Sequence, residues 1–207
     1  LSKPLLDRIH LNSPVQEIRR FEDRVELTIQ GEVQTFDQVV IACHSDTALQ
    51  LLRDPSDAER SVLGAIPYQK NDVVLHRDAS IMPEATKAWA SWNYRLPKEG
   101  QGDATVTYWM NRLQGFSEDT PDFFVSLNQN DAIDPSKVLR TFVYHHPVYT
   151  DETLEAQKRH HEISGVNRTH YCGAYWFYGF HEDGVKSGLR VVAGLQGTTS
   201  DVRDWAA

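Results

Sequence analysis

The segment 173–195 joins an aromatic run to a glycine-containing helical pattern, and it is the strongest candidate for chemistry in this sequence. Gly184 and Gly188 lie four residues apart, so they clear one face at the start of the predicted helix. The first turn of a helix carries free N–H groups and the positive end of the dipole, which suit an electron-rich ligand group. The pattern therefore predicts a flat ligand or another backbone at this helix start. Tight packing of the helix on a strand, with the aromatic residues in the core, is the alternative.

The helix itself is predicted by an apolar stripe that begins after Asp183. Val185, Leu189, Val192 and Ala193 fall close to the i, i+4, i+7, i+8 spacing of one helical face. Each interior glycine weakens a helix by about 0.5–1 kcal/mol relative to alanine. Intrinsic propensity alone would not select glycines here, so they serve packing or ligand contact.

Two histidines are further candidates for chemistry. His76 lies within the apolar segment VVLHRD, and His181 lies beside the predicted helix start. A structural role remains the alternative for each of them. The adjacent histidine pairs at 145–146 and 160–161 lack the spacing of metal ligands, and adjacent strand residues point to opposite faces. The sequence therefore predicts no metal site.

Aromatic side chains alternate along two neighbouring strand candidates in the middle of the chain: Trp89, Trp92, Tyr94, Tyr108 and Trp109. Those that share a face could line a cavity for an apolar or amine-bearing substrate, and core packing explains them equally well. The candidate substrate-binding residues are Trp92, Tyr94, Tyr108, Tyr175 and Trp176.

Three regions are predicted to position these residues. Residues 1–66 read as a β-meander, a buried parallel strand at 39–43 and a helix. Residues 67–165 contain longer alternating segments, with a turn at 99–103, and end in a polar helix. Residues 166–207 add a strand and the C-terminal helix. The predicted fold class is α+β, with a mostly antiparallel sheet inserted between two parts of an α/β domain.

Composition narrows the classes of partner. The chain has 21 basic and 29 acidic residues and a formal charge of -8, which opposes the phosphate neutralisation that nucleic-acid binding needs. No apolar run is long enough to span a bilayer, and the N-terminal residues do not form a secretory signal. Cys43 and Cys172 stand in apolar contexts and are expected to be reduced thiols rather than a disulfide. We expect a cytoplasmic protein with a small-molecule substrate and without a nucleic-acid partner.

The segment YCGAYWFYGFHEDGVKSG at 171–188 resembles the C-terminal signature of the flavin-containing amine oxidase superfamily. In that signature a strand ending in Ala-Gly-Glu leads through a loop to a Glu-Gly-Ala helix. Cys172, Gly173 and Ala174 stand at the strand end, and Asp183 begins the helix segment. More narrowly, VVLHRD, AWASWNY, VTYWMN and GFHEDG are similar to predicted NAD/FAD-binding amine oxidase-like proteins.

The resemblance implies an FAD cofactor and assigns contacts to it. The helix start, with Asp183, Gly184 and Val185, would face the pyrimidine side of the flavin ring. Gly173 and Ala174 would approach the ribityl chain or the pyrophosphate, and Val15 would lie near the adenine. The middle sheet, 67–165, would be the substrate domain that roofs the substrate cavity, and the two flanking regions would be parts of the FAD-binding domain. Lys70 could match the lysine that many amine oxidases hold near the flavin through a water.

Two departures from the family pattern matter. Ala174 stands where the superfamily usually has glutamate, and no G-x-G-x-x-G follows a strand to grip the pyrophosphate. The resemblance implies that the missing N-terminal nucleotide-binding unit lies upstream of Leu1, and that the chain alone binds FAD weakly or not at all.

The functional hypothesis is an FAD-dependent oxidoreductase of the amine oxidase type, or its substrate-domain fragment. It would transfer hydride from an amine or an unsaturated, lipid-like substrate to the flavin. The isolated fragment is expected to be inactive. The rival hypothesis is a noncatalytic ligand-binding or interaction module with a degenerate cofactor site.

Overall fold

The computed structural model describes residues 2–96 and 105–197, and the chain forms two compact units. Unit 1 comprises Leu1–Tyr68 and Pro147–Ala207, and unit 2 comprises Gln69–His146. The turn predicted at 99–103 lies outside the described residues. The strands are β1 (Val15–Arg20), β2 (Val25–Ile29), β3 (Glu32–Phe36), β4 (Val39–Ile41), β5 (Tyr68–His76), β6 (Trp92–Arg95), β7 (Thr105–Trp109), β8 (Phe124–Leu127), β9 (Val138–Pro147) and β10 (Thr169–Tyr171). The helices are α1 (Ser45–Leu51), α2 (Asp57–Gly64), α3 (Met110–Gln114), α4 (Asp151–Lys158) and α5 (His181–Leu195).

Unit 1 contains the predicted meander and a short parallel sheet. Strands β1, β2 and β3 pair antiparallel in sequence order, which follows from their alternating apolar residues and the turn at Gly31. Strands β4 and β10 pair parallel, with Ile41 opposite Tyr171, although about 130 residues separate them in the chain. The expected α/β arrangement of this unit is therefore present.

Strand β4 is buried less completely than its sequence predicts. Ile41 is 4% exposed, but Val40 in the middle of the strand is 44% exposed. The apolar run at 39–43 predicts cover on both faces, and only one face of β4 is covered by the described residues. Its second face therefore presents apolar surface.

The core of unit 1 joins the meander, the parallel strands and the helices. Its fully buried members include Ile18, Val25, Leu63, Ile163 and Tyr171. Burying these apolar side chains is the main stabilising contribution to the unit, at about 1.5–3 kcal/mol for each aliphatic side chain. The two sequence segments of unit 1 thus form one folded body.

Unit 2 is built on a five-stranded sheet in the order β6-β7-β8-β5-β9. The registered pairs β6–β7, β7–β8 and β8–β5 are antiparallel. The mostly antiparallel inserted sheet predicted from the alternating segments is confirmed.

The end of unit 2 differs from the predicted boundary at 165. Helix α4 packs against α2, and the Thr153 hydroxyl donates to the carbonyl of Ala65 at 3.0 Å. Residues 147–165 consequently fold with unit 1, because the buried face of α4 completes the core there. A polar helix after a sheet gives no sequence signal for the side on which it packs.

Helix α5 forms where the stripe predicts a helix, but the stripe is exposed. Val185, Leu189 and Val192 are 57%, 52% and 46% exposed, whereas the buried face carries Asp183, Ser187 and Val191. Within the described residues, no helix is long and apolar enough to cross a membrane.

Candidate functional site

The candidate site lies at the carboxyl ends of the two parallel strands of unit 1. Strand β4 ends at Ile41 and leads to Cys43 and His44, while β10 ends at Tyr171 and leads to Gly173. The amide of Cys172 donates to the Ile41 carbonyl at 3.1 Å, which keeps the two strand ends together. In α/β folds, ligands bind outside the carboxyl ends of parallel strands.

Ser187 fixes helix α5 to this edge. The amide of Gly173 donates to the Ser187 hydroxyl oxygen at 2.8 Å, and that hydroxyl donates to the Gly184 carbonyl at 2.8 Å. Ser187 is 2% exposed, so both bonds are shielded from water. A buried serine on α5 therefore positions the helix start beside the end of β10.

The start of α5 keeps two amide groups without a protein acceptor among the described residues. The amides of Asp183 and Gly184 bond to the Phe180 carbonyl at 3.0 and 3.2 Å, while those of His181 and Glu182 have no such bond. The first N–H groups of a helix have no partner within the helix. These two amides are available to an electron-rich group.

Asp183 has a local structural role at this helix start. Its carboxylate accepts from the amide of Tyr178 at 3.2 Å and from that of Phe180 at 3.0 Å, and the residue is 6% exposed. It thereby holds the turn before the helix, and its negative charge offsets part of the dipole there. The side chain predicted as a cofactor contact is a capping group in this structure.

Gly184 and Gly188 face open space. A Cβ atom built on either residue would meet no atom within 4 Å apart from its chain neighbours and the backbone of α5 itself. Packing of α5 on a strand in the described part of the chain is therefore not the reason for these glycines. Together with exposed Val185, they form an uncovered face that we call the glycine face of α5.

Gly173 is required by a neighbouring ring. A Cβ atom at this position would lie 2.4 Å from Cε1 of Tyr175, closer than atoms can approach. The Tyr175 ring thus explains the glycine, and the predicted approach of Gly173 to the ribityl chain or the pyrophosphate stays a prediction. Ala174, which follows, begins a short 3-10 turn through Trp176.

Tyr175 and Trp176 lie in the core of unit 1. They are 4% and 2% exposed, and Trp176 packs edge-on against the His160 ring at 4.6 Å between centroids. The Tyr175 hydroxyl and Trp176 Nε1 have no hydrogen-bond partner at standard distance among the described residues, and burial raises the pKa of Tyr175. In this conformation neither side chain is accessible to a substrate, so the contact predicted for them is not seen. Nearness of an aromatic run to a helix start in the sequence does not show which way its rings face.

The aromatic candidates of unit 2 divide between the two faces of its sheet. Trp92 pairs with Tyr108 across β6 and β7, with 6.0 Å between ring centroids, and Tyr94 lies on the same face. Trp92 and Tyr94 are 56% and 68% exposed. We call Trp92, Tyr94 and Tyr108 the aromatic face of unit 2. Trp109 lies on the opposite face, where it contacts Trp89 at 5.2 Å.

The three catalytic candidates have different environments. His76 is fully buried, its Nδ1 accepts from the Asp78 amide at 3.0 Å, and its Nε2 donates to the Ser126 hydroxyl at 2.8 Å. Both ring nitrogens are therefore used inside unit 2, and burial lowers the pKa of this histidine. Lys70 on β5 is exposed, and His181 is exposed at the first position of α5.

Val15 begins β1 opposite Ile29 and packs on the core of unit 1. Its predicted place near an adenine stays a prediction.

Sequence reasoning missed a buried charged network beneath the site. Arg20 donates to both carboxylate oxygens of Glu59, and the Tyr171 hydroxyl donates to the same carboxylate at 2.6 Å. These contacts lower the pKa of Glu59 despite its burial, which acts to raise it. The signal was present in the sequence as the capping-box pattern Ser56-x-x-Glu59, in which the Glu59 carboxylate also accepts from the Ser56 amide at 2.8 Å.

Comparison with known proteins agrees with this arrangement. Residues 1–77 match the family model described as flavin containing amine oxidoreductase. No curated protein sequence matches the chain significantly.

Solved structures share the fold at low sequence identity. Cyclohexylamine oxidase from Brevibacterium oxydans IH-35A matches with a TM-score of 0.63 and 15% identity, over 92% of this chain and 49% of that one. Putrescine oxidase bound to putrescine matches with a TM-score of 0.61 and 12% identity, over 95% and 51%. A CLA-producing fatty acid isomerase from P. acnes matches with a TM-score of 0.60 and 15% identity, over 88% and 47%. The chain spans about half the length of these structures. The predicted resemblance to flavin-containing amine oxidases is confirmed over residues 1–77, and the predicted fold class is confirmed.

Proposed function

We propose that this chain supplies the substrate domain and part of the cofactor site of an FAD-dependent oxidoreductase of the amine oxidase type. The observation that carries the proposal is the glycine face of α5, held by Ser187 at the carboxyl ends of two parallel strands. Family similarity of residues 1–77 and the shared fold support it.

The helix start fits one edge of a flavin ring. The His181 and Glu182 amides have no protein acceptor in the described residues, and no atom lies within 4 Å of a Cβ placed on Gly184. When bound, FAD would supply hydride acceptance. The backbone amides of α5 would hold the ring edge and favour negative charge there, and their fixed orientation costs little reorganisation.

The aromatic face of unit 2 is the proposed substrate-binding surface. Its exposed rings offer apolar area and, for an amine, cation–π contacts. An amine or an unsaturated, lipid-like molecule fits this chemistry. In the same proposal, His181 and Lys70 are the exposed basic side chains to be tested for a role in catalysis, and the protein is cytoplasmic because its two cysteines are free thiols.

The pyrophosphate of FAD needs a phosphate-binding motif that no described segment supplies. We assign it to a nucleotide-binding unit encoded upstream of Leu1, and we expect the isolated chain to bind FAD weakly and to be inactive. The exposed apolar residues of α5 and the exposed Val40 on β4 support this assignment, because apolar surface of this kind is normally covered.

The direct experiment is purification of the gene product extended upstream of Leu1, followed by its absorption spectrum. We expect a yellow protein with flavin bands, and we expect the chain 1–207 to be colourless. A colourless extended protein that takes up no added FAD would instead support the noncatalytic module, whose sheet is retained and whose cofactor site is degenerate.

A further inference from the structure

A pocket of unit 1 is lined by residues other than those of the candidate cofactor site. It has a volume of about 340 Å³ and is lined by Gln38, which directly precedes β4, and by residues of α5 from Arg190 onward rather than by its first turn. Its polar lining consists of Gln38, His160, His161, Ser164, His170 and Arg190. No carboxylate is among the described residues that line it.

Arg190 is the unusual member of this lining. It is partly buried on α5, and burial lowers the pKa of its guanidinium. Its side chain makes no hydrogen bond or ion pair with any residue in the described ranges 2–96 and 105–197. The guanidinium keeps some contact with solvent, but no described residue supplies a counter-ion that offsets its partial loss of hydration.

The neighbouring histidines are held by neutral partners. His160 Nε2 donates to the Tyr171 carbonyl at 2.8 Å, and His170 Nε2 donates to the Gln38 side-chain oxygen at 2.8 Å. Burial chiefly, and then the charge of Arg190, lower the pKa of His160 to about 4. Glu162, which follows His161 in the chain, pairs with Arg159 at 2.8 Å between Nη2 and an Oε atom. Among residues 2–96 and 105–197, no carboxylate therefore pairs with Arg190.

We propose that this pocket binds a phosphate-type oxyanion through Arg190, with the histidines and Ser164 around it. The planar guanidinium matches two oxygens of a tetrahedral anion, and such charge-assisted hydrogen bonds are the strong ones. The pocket volume accommodates a free anion or the phosphate of a small molecule. A metal site is not formed by these histidines, since no group of three or more potential ligands with suitable geometry occurs in the described residues.

An alternative reason for a cation here is the C-terminal half of α5, whose dipole favours positive charge. The two explanations differ in what removal of Arg190 does. A dipole-stabilised arginine contributes stability, whereas an arginine that awaits an anion costs stability while the pocket is empty.

The test uses the chain 1–207 at pH 7 with sulfate as the probe, because the charge of sulfate stays constant around this pH. Thermal unfolding is followed in millimolar sulfate and in chloride of equal ionic strength. Sulfate also stabilises proteins by exclusion from their surface, so the comparison is with Arg190→Gln and with the exposed helical control Arg60→Gln. Binding is measured in parallel by calorimetry.

We expect sulfate to raise the unfolding temperature of the parent and of Arg60→Gln equally. We expect the affinity of Arg190→Gln for sulfate to be at least about tenfold lower. Without sulfate, Arg190→Gln should unfold at the same or a higher temperature than the parent. Arg190→Lys keeps the positive charge but lacks the planar guanidinium with its paired N–H donors. It should show an intermediate affinity for sulfate. Tighter binding of glycerol phosphate than of inorganic phosphate would indicate a phosphorylated small molecule, and the reverse a free anion.

Equal sulfate effects on all the variants would overturn the proposal, since they would report only the general salt effect. A lower unfolding temperature of Arg190→Gln in chloride would also overturn it, because it would show that the chain already compensates this charge. Both outcomes leave the proposed oxidoreductase function untouched, because that proposal rests on Gly184, Ser187 and Gly188, none of which lines this pocket.

Discussion

Glu59 is a buried carboxylate whose oxygens are bonded by Arg20, Tyr171 and Ser56. Replacement Glu59→Gln keeps the size but leaves the Arg20 guanidinium without its buried counter-ion. We expect the free energy of unfolding to fall by about 3–5 kcal/mol, as measured by urea denaturation. The control is Glu26→Gln, which removes a partly exposed pair with Arg24 and should cost much less stability. Equal losses in the two variants would contradict the network.

The lowered pKa of His160 makes the stability of the folded chain depend on pH. Its pKa is lowered from 6.5 to about 4 in the folded chain, so the unfolded chain binds more protons between these values. The stability contributed by the neutral ring is therefore complete above pH 6.5 and is lost as the pH falls towards 4, by up to about 3 kcal/mol.

His160→Gln tests this pH dependence, because glutamine can still donate to the Tyr171 carbonyl but does not titrate. The variant loses the ring contact with Trp176, so its stability should be lower at every pH. The informative quantity is the slope of unfolding free energy between pH 6.5 and 4, from urea denaturation. We expect a shallower slope in the variant, and an unchanged slope would show that other groups titrate.

Individual residues were predicted from the sequence only where a local pattern existed. Gly173 was chosen from the resemblance, and the structure gives it a different reason, the Tyr175 ring. Glu59 had a local pattern in the capping box. Arg190 had none, because its lack of a partner among the described residues is a property of tertiary structure that no spacing reveals.

At the scale of elements, the spacing of apolar residues predicts the type of element but not which of its faces is buried. The apolar stripe of α5 predicts the helix correctly, yet the buried face is formed by Asp183, Ser187 and Val191. Periodicity shows that two faces differ and not which one meets the rest of the chain. Asp183 and Ser187 are buried because they bond backbone groups of the preceding turn and of Gly173.

Alanine substitutions of the glycines in and near α5 are expected to change stability in opposite directions. Gly184→Ala and Gly188→Ala should each stabilise the chain 1–207 by about 0.5–1 kcal/mol, because the added methyl meets no atom and favours the helix. Gly173→Ala should destabilise it by about 1–3 kcal/mol, since the Tyr175 ring must move. Thermal and urea unfolding measure both effects, and destabilisation by Gly184→Ala would show that the glycine face is packed within the chain.

At the scale of the whole molecule, the order of β-meander, inserted antiparallel sheet and C-terminal helix follows from the sequence. Each strand pair in unit 2 is built from alternating segments, which set both the register and the shared face of Trp92 and Tyr108. The parallel pairing of β4 with β10 is known only from the structure, since pairing between distant segments leaves no local signal. The boundary of unit 2 at His146 depended on the packing of α4 and was not readable from composition.

The most direct measurement of the central proposal is the flavin content of the gene product extended upstream of Leu1, purified with Gly184→Leu, Gly188→Leu or Gly194→Leu. Leucine favours the helix, and all three positions are open in this chain. Gly194 lies near the other end of α5 and serves as the matched control. We predict that the first two variants fold but lose bound flavin, while Gly194→Leu retains it. Equal flavin content in all three would contradict a cofactor on the glycine face of α5.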